Sequence, residues 1–294
     1  MPADSAPAIS FEFFPPATPE ATLRLWRSVE RLAPLGPEFV SVTYGAGGAT
    51  RDRTMAAILT IRDRARLNVA GHLTCVGASR EQTLAVARAY AKLGVRRIVA
   101  LRGDPPKGAA RFEPHPDGFR SAAELVAALR AAGDWKISVA AYPEVHPESP
   151  SLAADLDNLK RKIDAGADEA ITQFFFDNED YFRFVDAARK AGIEAPIVPG
   201  VLPIENFKRM SNFAARCKAR VPDWMAKAYE NADELGVTEL LSAAICAEQC
   251  EELLAQGAPR LHFYTLNNPD LTFSVCRALG VQPTPMQIAA QGCG

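Results

Sequence analysis

Glu12 stands between Phe11 and Phe13 in the run SFEFFP that begins at Ser10. In an extended strand, alternation sends its side chain to the face opposite those two phenylalanines. A carboxylate turned into an apolar interior is costly without a role or a partner. In an aromatic, poorly hydrated setting its pKa is expected to rise, which suits a general acid near neutral pH. The alternative is a buried salt bridge to Arg102 or another arginine. Asp104 follows Arg102-Gly103, where a glycine permits close approach of a ligand to the backbone. It either pairs with Arg102 or presents charge to a bound cofactor. The stretch Tyr142-Pro143-Glu144-Val145-His146 offers an aromatic face and two polar tips, suited to a planar ring with hydroxylated or phosphate attachments, or else forms a turn around a packed tyrosine. Gln173 precedes three phenylalanines, and its amide can donate to and accept from a heteroaromatic ring, or be a satisfied core glutamine.

These residues sit at the ends of eight short β-branched or aromatic runs, which begin at Ser10, Glu38, Asn68, Arg96, Lys136, Glu169, Pro196 and Arg260. A helical pattern follows each run. Such alternation, at a spacing of roughly thirty residues, predicts parallel βαβ units. Eight of them in 294 residues predict an α/β protein, a single-domain (β/α)8 TIM barrel. In that fold the chemistry gathers at the C-terminal strand ends, which nominates Glu12, Thr43, Tyr44, His72, Thr74, Arg102, Asp104, Tyr142, Glu144, His146, Gln173, Tyr264 and Asn267. Thr18-Pro19 predicts the cap and first turn of the first helix. Helices are expected near 52–66, 80–93, 120–132, 151–165, 178–191, 204–218 and 269–279. The stretch 223–256 is too long for one crossover and predicts an extra short helix, then a longer one, before the last strand. The expected layout is a tail over 1–8, the barrel over 9–282 and a second tail over 283–294. The long loop Pro105–Gly118 follows a polar strand end, as lids and binding loops do.

Composition narrows the class. A formal net charge of −2 gives no global reason to expect nucleic acid or a membrane surface. No leader pattern opens the chain and no apolar run approaches the roughly 20 residues of a membrane span, so a cytoplasmic location is expected. Cys75, Cys217, Cys246, Cys250, Cys276 and Cys293 lack CxxC spacing and read as reduced thiols. Cys246 and Cys250 are one helical turn apart, which predicts packing rather than metal ligation. The four histidines are spread out, so no metal site is expected. No strand end carries a Schiff-base lysine, and GxSxG, Walker A and GxGxxG patterns are absent. Gly45-Ala46-Gly47-Gly48 reads as a turn approached closely by something else. Lys160-Arg161-Lys162 reads as a solvated helix face.

Taken in order, ten segments resemble the bacterial 5,10-methylenetetrahydrofolate reductase family, and they run from the first strand to the last. They are Phe11-Glu-Phe-Phe-Pro-Pro, Val42-Thr-Tyr-Gly-Ala with Arg51-Asp-Arg-Thr, His72-Leu-Thr-Cys, Ala100-Leu-Arg-Gly-Asp and Val139-Ala-Ala-Tyr-Pro-Glu-Val-His-Pro-Glu, then Asn158-Leu-Lys-Arg-Lys, Asp164-Ala-Gly-Ala, Ile171-Thr-Gln-Phe-Phe-Phe-Asp, Pro199-Gly and His262-Phe-Tyr-Thr-Leu-Asn. The resemblance implies FAD in the barrel mouth, NADH or NADPH as hydride donor and a methylene-folate as acceptor, in ping-pong order. It implies that Glu12 is the acid that opens the folate ring and that Asp104 lies near the flavin. Thr43, Tyr44, Ala46, His72, Arg102, Gly103, Asp104, Tyr142, His146, Asp155, Asn158, Arg161 and Lys162 match positions around FAD, and Ala122 is a further candidate. For Arg161 and Lys162 the resemblance turns a solvated face into a diphosphate contact. Gln173 would contact pterin and nicotinamide, and Phe213 would cover the bound substrates. Asn268 stands where the family pattern usually has a folate-binding arginine, with Arg209 as a compensating cation. Relatives of this kind are homo-oligomers. The regulatory domain of eukaryotic relatives is not part of this chain, so no adenosylmethionine control is expected. Two rivals are an FAD barrel with a different acceptor and a non-enzymatic, reductase-like partner subunit. A proline-dehydrogenase-like site would need an arginine pair at the end of strand eight, which Tyr264–Asn268 lacks. A non-enzymatic subunit would be marked by loss of Glu12 or of the flavin set, and both are intact.

Overall fold

The computed structural model describes residues 6–45, 50–105 and 111–284. Residues 46–49, which include Ala46, Gly47 and Gly48 of the glycine cluster, residues 106–110 of the long loop, the first five residues and residues 285–294 lie outside the described residues. The strands are β1 (Ile9–Phe13), β2 (Phe39–Val42), β3 (Val69–Thr74), β4 (Arg97–Leu101), β5 (Lys136–Ala141), β6 (Glu169–Thr172), β7 (Ile197–Val198), β8 (Gly200–Val201) and β9 (Leu261–Tyr264). All pair in parallel in the order β7-β6-β5-β4-β3-β2-β1-β9-β8. The predicted seventh strand is divided. Proline has no N–H for a ladder, and Pro199 splits the strand into two-residue pieces. One piece pairs with β6 and the other with β9, so the ring closes through this broken strand.

Crossover helices cover the outside: α1 (Pro19–Leu32), α2 (Arg51–Ala65), α3 (Arg80–Lys92), α4 (Ala122–Ala132), α5 (Leu152–Asp164), α6 (Asn178–Lys190) and α7 (Phe207–Cys217). Next come α8 (Asp223–Glu234), the predicted extra helix, then α9 (Thr238–Ala255) and α10 (Asp270–Ala278). Six of these helices, α1 and α3 to α7, start at cap residues that satisfy free N–H groups of the first turn. Thr18 accepts from Ala21, Ser79 and Gln82 form a capping box, and Ser121, Ser151, Asp177 and Asn206 cap α4 to α7. These caps fix where each loop leaves the barrel mouth.

Outward strand residues such as Phe11, Phe13, Ile98 and Val139 pack with the helices into one large core. Inward residues form layers. Phe39, Ala70, Val99, Ile171 and Val198 fill the middle. Below them lies a polar floor. Glu169, 2 % exposed, accepts from Arg97 at 2.8 Å, Arg260 at 2.7 Å and Ser138 at 2.6 Å. Glu38 joins the same two arginines at 3.2 and 3.3 Å, and both guanidiniums lie against the Phe39 ring. The hydrophobic middle layer thus separates this floor from the mouth.

Candidate active site

Register carries Glu12 to the top of the interior. It pairs with Ser41 on β2 and Tyr264 on β9, and its side chain points inward as alternation predicts. One carboxylate oxygen lies 3.3 Å from His72 Nε2 and 3.9 Å from His262 Nε2. Arg102 is not its partner; that guanidinium binds Glu148 at 2.7 Å. The expected rise in the Glu12 pKa is reversed as well. Burial does push the carboxyl up, but His262 and His72 outweigh it and hold it at about 2. The neighbours are imidazoles rather than hydrocarbon, and they favour the anion. His262 is itself pushed down, by burial first and also by Arg260 and His72, against the pull of Glu12. Its Nδ1 shares a 2.8 Å hydrogen bond with the Ser10 hydroxyl.

Around this centre several of the nominated positions follow the C-terminal strand ends. Thr43 and Tyr44 follow β2, where Thr43 donates its N–H to Phe13 and accepts from the Thr54 hydroxyl. Tyr44 lines a cavity of about 260 Å³ with Arg51, Thr74 and Gln82. The Thr74 hydroxyl is buried there without a hydrogen-bond partner. Gly103 follows β4 at φ +87°, and a Cβ on it would meet Thr74 and Val76 at 3.0 and 2.7 Å. Asp104 is exposed beside it and is not paired with Arg102. Tyr142 and His146 meet edge to face at 4.6 Å. Burial and the nearby Asp104 push the Tyr142 phenol up to about 12, while burial and Arg102 push His146 down. Between them Val145 has φ +76°, a strained conformation for a β-branched residue.

The buried Asp155 carboxylate holds this loop by accepting the His146 N–H at 2.5 Å. Asp155, Asn158 and Lys162 lie three to four residues apart and so share a face of α5. The basic cluster therefore splits. Lys160 and Arg161 pair with Asp164 and Asp157 on the surface, but Lys162 is buried and donates to the Ala140 carbonyl. Burial lowers its pKa to about 8, against the raising effect of Asp155. A solvated face describes only two of the three residues. Ala122 is buried as the first residue of α4.

On the opposite side, the Gln173 carbonyl oxygen accepts from Phe174 N–H at 3.1 Å. Phe213 of α7 stacks on Phe174 at 5.3 Å, and Phe174 also contacts Phe176 and Tyr264. Arg209 is exposed on the first turn of α7, and Asn268 is half-buried after β9. Asn267, one of the nominated strand ends, is a latch: its amide binds Phe14 N–H and C=O at 2.9 and 3.0 Å.

Residues 1–280 match the family model described as methylenetetrahydrofolate reductase. The chain belongs to the methylenetetrahydrofolate reductase family. It is 50% identical to the 5,10-methylenetetrahydrofolate reductase of Pectobacterium carotovorum and 48% identical to that of Escherichia coli K12, each over 94% of this chain and 91% of the relative. It is also 37% identical to methylenetetrahydrofolate reductase (NADH) 1 of Arabidopsis thaliana, over 93% of this chain and 48% of that one. Among solved structures, an uncharacterized protein from Clostridium thermocellum, described as binding two copies of 5-methyl-5,6,7,8-tetrahydrofolic acid, superposes with TM-score 0.62 at 16% identity, covering 94% of this chain and 96% of that chain. That likeness shows the barrel fold.

Within this member of the methylenetetrahydrofolate reductase family, sequence reasoning missed the histidine pair. His72 is expected at a strand end around the cofactor and His262 has no expected role, yet barrel closure brings His72 of β3 and His262 of β9 to one carboxylate. The usable signal was that both occupy inward positions of their strands. Ser10 and Ser41 escaped notice for the same reason.

Proposed function

We propose that this chain reduces 5,10-methylenetetrahydrofolate to 5-methyltetrahydrofolate, with FAD in the barrel mouth and NADH or NADPH as hydride donor. The observation that carries the reading is the end-to-end match at about half identity to reductases of that name. The residues present fit the cofactor. The unpartnered, buried Thr74 hydroxyl, the side-chain-free Gly103 and the Tyr142 ring supply a donor, close backbone approach and an aromatic face at one strand-end cluster. When bound, the flavin supplies a two-electron carrier between nicotinamide and folate.

The chain's own residues do the rest. Glu12 donates a proton to a folate nitrogen, so that the five-membered ring opens to an iminium ion ready for hydride. Asp104 sets negative charge beside the flavin. Thr43, Tyr44, Ala46, His72, Arg102, Gly103, Ala122, Tyr142, His146, Asp155, Asn158, Arg161 and Lys162 hold and orient the cofactor. Gln173 contacts pterin and nicotinamide in turn, Phe213 covers them, and Arg209 with Asn268 faces the folate tail. No described helix is long and apolar enough to cross a membrane; a cytoplasmic homo-oligomer is the accompanying reading, which a monomer in sedimentation would overturn.

The test is an absorbance spectrum followed by anaerobic NADH and then methylenetetrahydrofolate. Flavin bands that bleach and return support both half-reactions. A protein that stays colourless with added FAD refutes the reading. Bleaching without folate-driven return would favour a different acceptor, the alternative that Asn268 raises.

A further inference from the structure

Glu12 is placed to deliver a proton, yet its surroundings keep it ionised, so a proton has to be held within reach. Two imidazoles are close enough, and they differ. The His262 ring is committed: Nδ1 is engaged by Ser10, one face stacks with Phe39, and Tyr264 meets it edge-on at 5.4 Å. Arg260, below it on the same side, adds a positive charge that works against a second one. His72 is nearer, at 3.3 Å, and its Nε2 is buried with no well-aligned hydrogen-bond partner. Buried polar atoms left this way are rare and mark either strain or function. The other groups facing the pair are Tyr264 from β9, kept neutral by burial, and the Ser41 hydroxyl from β2, likewise buried and unpartnered. Behind His72, the Tyr90 phenol of α3 holds its carbonyl at 3.0 Å.

We propose that His72 is the proton store for Glu12, while His262 only orients the carboxylate. This rests on the reductase reading. The His72 imidazolium passes its Nε2 proton to Glu12, which forms an O–H bond. That bond breaks as an N–H bond forms on the folate, whose nitrogen keeps the electron pair of the opening C–N bond. The neutral His72 ring is recharged from solvent. One proton is consumed for each nicotinamide oxidised and each folate reduced, so charge and atoms balance with the hydride that nicotinamide supplies.

The experiment compares FAD-loaded wild type with His72→Gln and His72→Asn in the two half-reactions across pH. Folate-driven return of the flavin bands should slow at least about 100-fold more than NADH bleaching, the lower end of general acid–base effects, and its pH dependence should change shape. Equal slowing of both half-reactions would limit His72 to its cofactor contact, with no separate part in the folate step, and overturn the proposal. A second readout needs no variant at His72. With four histidines in the chain, 15N-imidazole spectra resolve each ring, and Glu12→Gln should change the His72 Nε2 signal, whose nearest partner is the Glu12 carboxylate at 3.3 Å. An unchanged His72 Nε2 signal overturns the proposal whether or not the protein reduces folate. A wild type that fails to bleach or return with the stated substrates overturns the reductase reading separately.

Discussion

Replacing Glu169 by alanine tests the account of the barrel floor. The carboxylate is buried and accepts from two guanidiniums and one hydroxyl, all at 2.6–2.8 Å. Removing one partner of a buried ion pair costs about 3–5 kcal/mol, because the other charge is left uncompensated. Glu38 remains beside both arginines, but its side chain is 45% exposed, so it offsets at most about 1 kcal/mol. The expected loss is about 3 kcal/mol. At roughly 2–4 °C per kcal/mol for a chain somewhat smaller than this one, the melting midpoint should fall by on the order of 10 °C. Circular dichroism at 222 nm during heating and urea titration measures it, and FAD binding should be little changed because the middle layer intervenes. Burial raises the Glu169 pKa, but Arg260, Ser138 and Arg97 outweigh it and the net shift is downward. Its contribution is therefore full above the ordinary value of 4.5 and is lost as pH falls through the lower folded value. The gap between wild type and variant should narrow below about pH 4.5. A loss under about 1 kcal/mol at pH 7, or a gap that widens in acid, would refute the reasoning.

Lys162 makes the opposite pH prediction. Its pKa is about 8 in the fold against an ordinary 10.5, so the unfolded chain binds more protons between those values and stability should rise with pH there, by roughly 3 kcal/mol at 1.36 kcal/mol per pKa unit. Lys162→Met should abolish the rise in denaturation curves measured at pH 8 and pH 10. Asn267→Ala strands both backbone groups of Phe14 and should cost about 1–3 kcal/mol, read by thermal melting. Asn268→Arg should lower the KM for methylenetetrahydrofolate by about tenfold, the 1.4 kcal/mol scale of one added ion-pair contact, with kcat little changed.

The barrel was legible because its alternation of strand and helix repeats along the chain, and six of the described helices start at a side-chain cap. Glu12 could be read as inward from alternation alone. Its ionisation could not, since the deciding neighbours come from β3 and β9 and meet it only when the ring closes. Lys162 was misread because a run of three basic residues looks uniform, although Asp155, Leu159 and Lys162 share one helical face and α5 buries that face. Asn267 carried a local signal, as asparagine tolerates the left-handed backbone found there at φ +58°. The break at Pro199 was visible as a proline in an otherwise apolar run.

That break has a mechanical consequence. Where peptide pairing is shortest, the Tyr264 phenol reaches across Gly200 to the Thr172 carbonyl at 2.7 Å, a path that any side chain on Gly200 would block, and the Thr172 hydroxyl takes the Gly200 N–H at 2.9 Å. The wall here is buttoned by side chains instead of laced by a ladder. Its compliance lies just upstream of α7, so the arm that carries Phe213 hangs from the softest part of the hoop. Swinging that arm outward would strain both fasteners, which are anchored on β6 at Thr172 and on β9 at Tyr264.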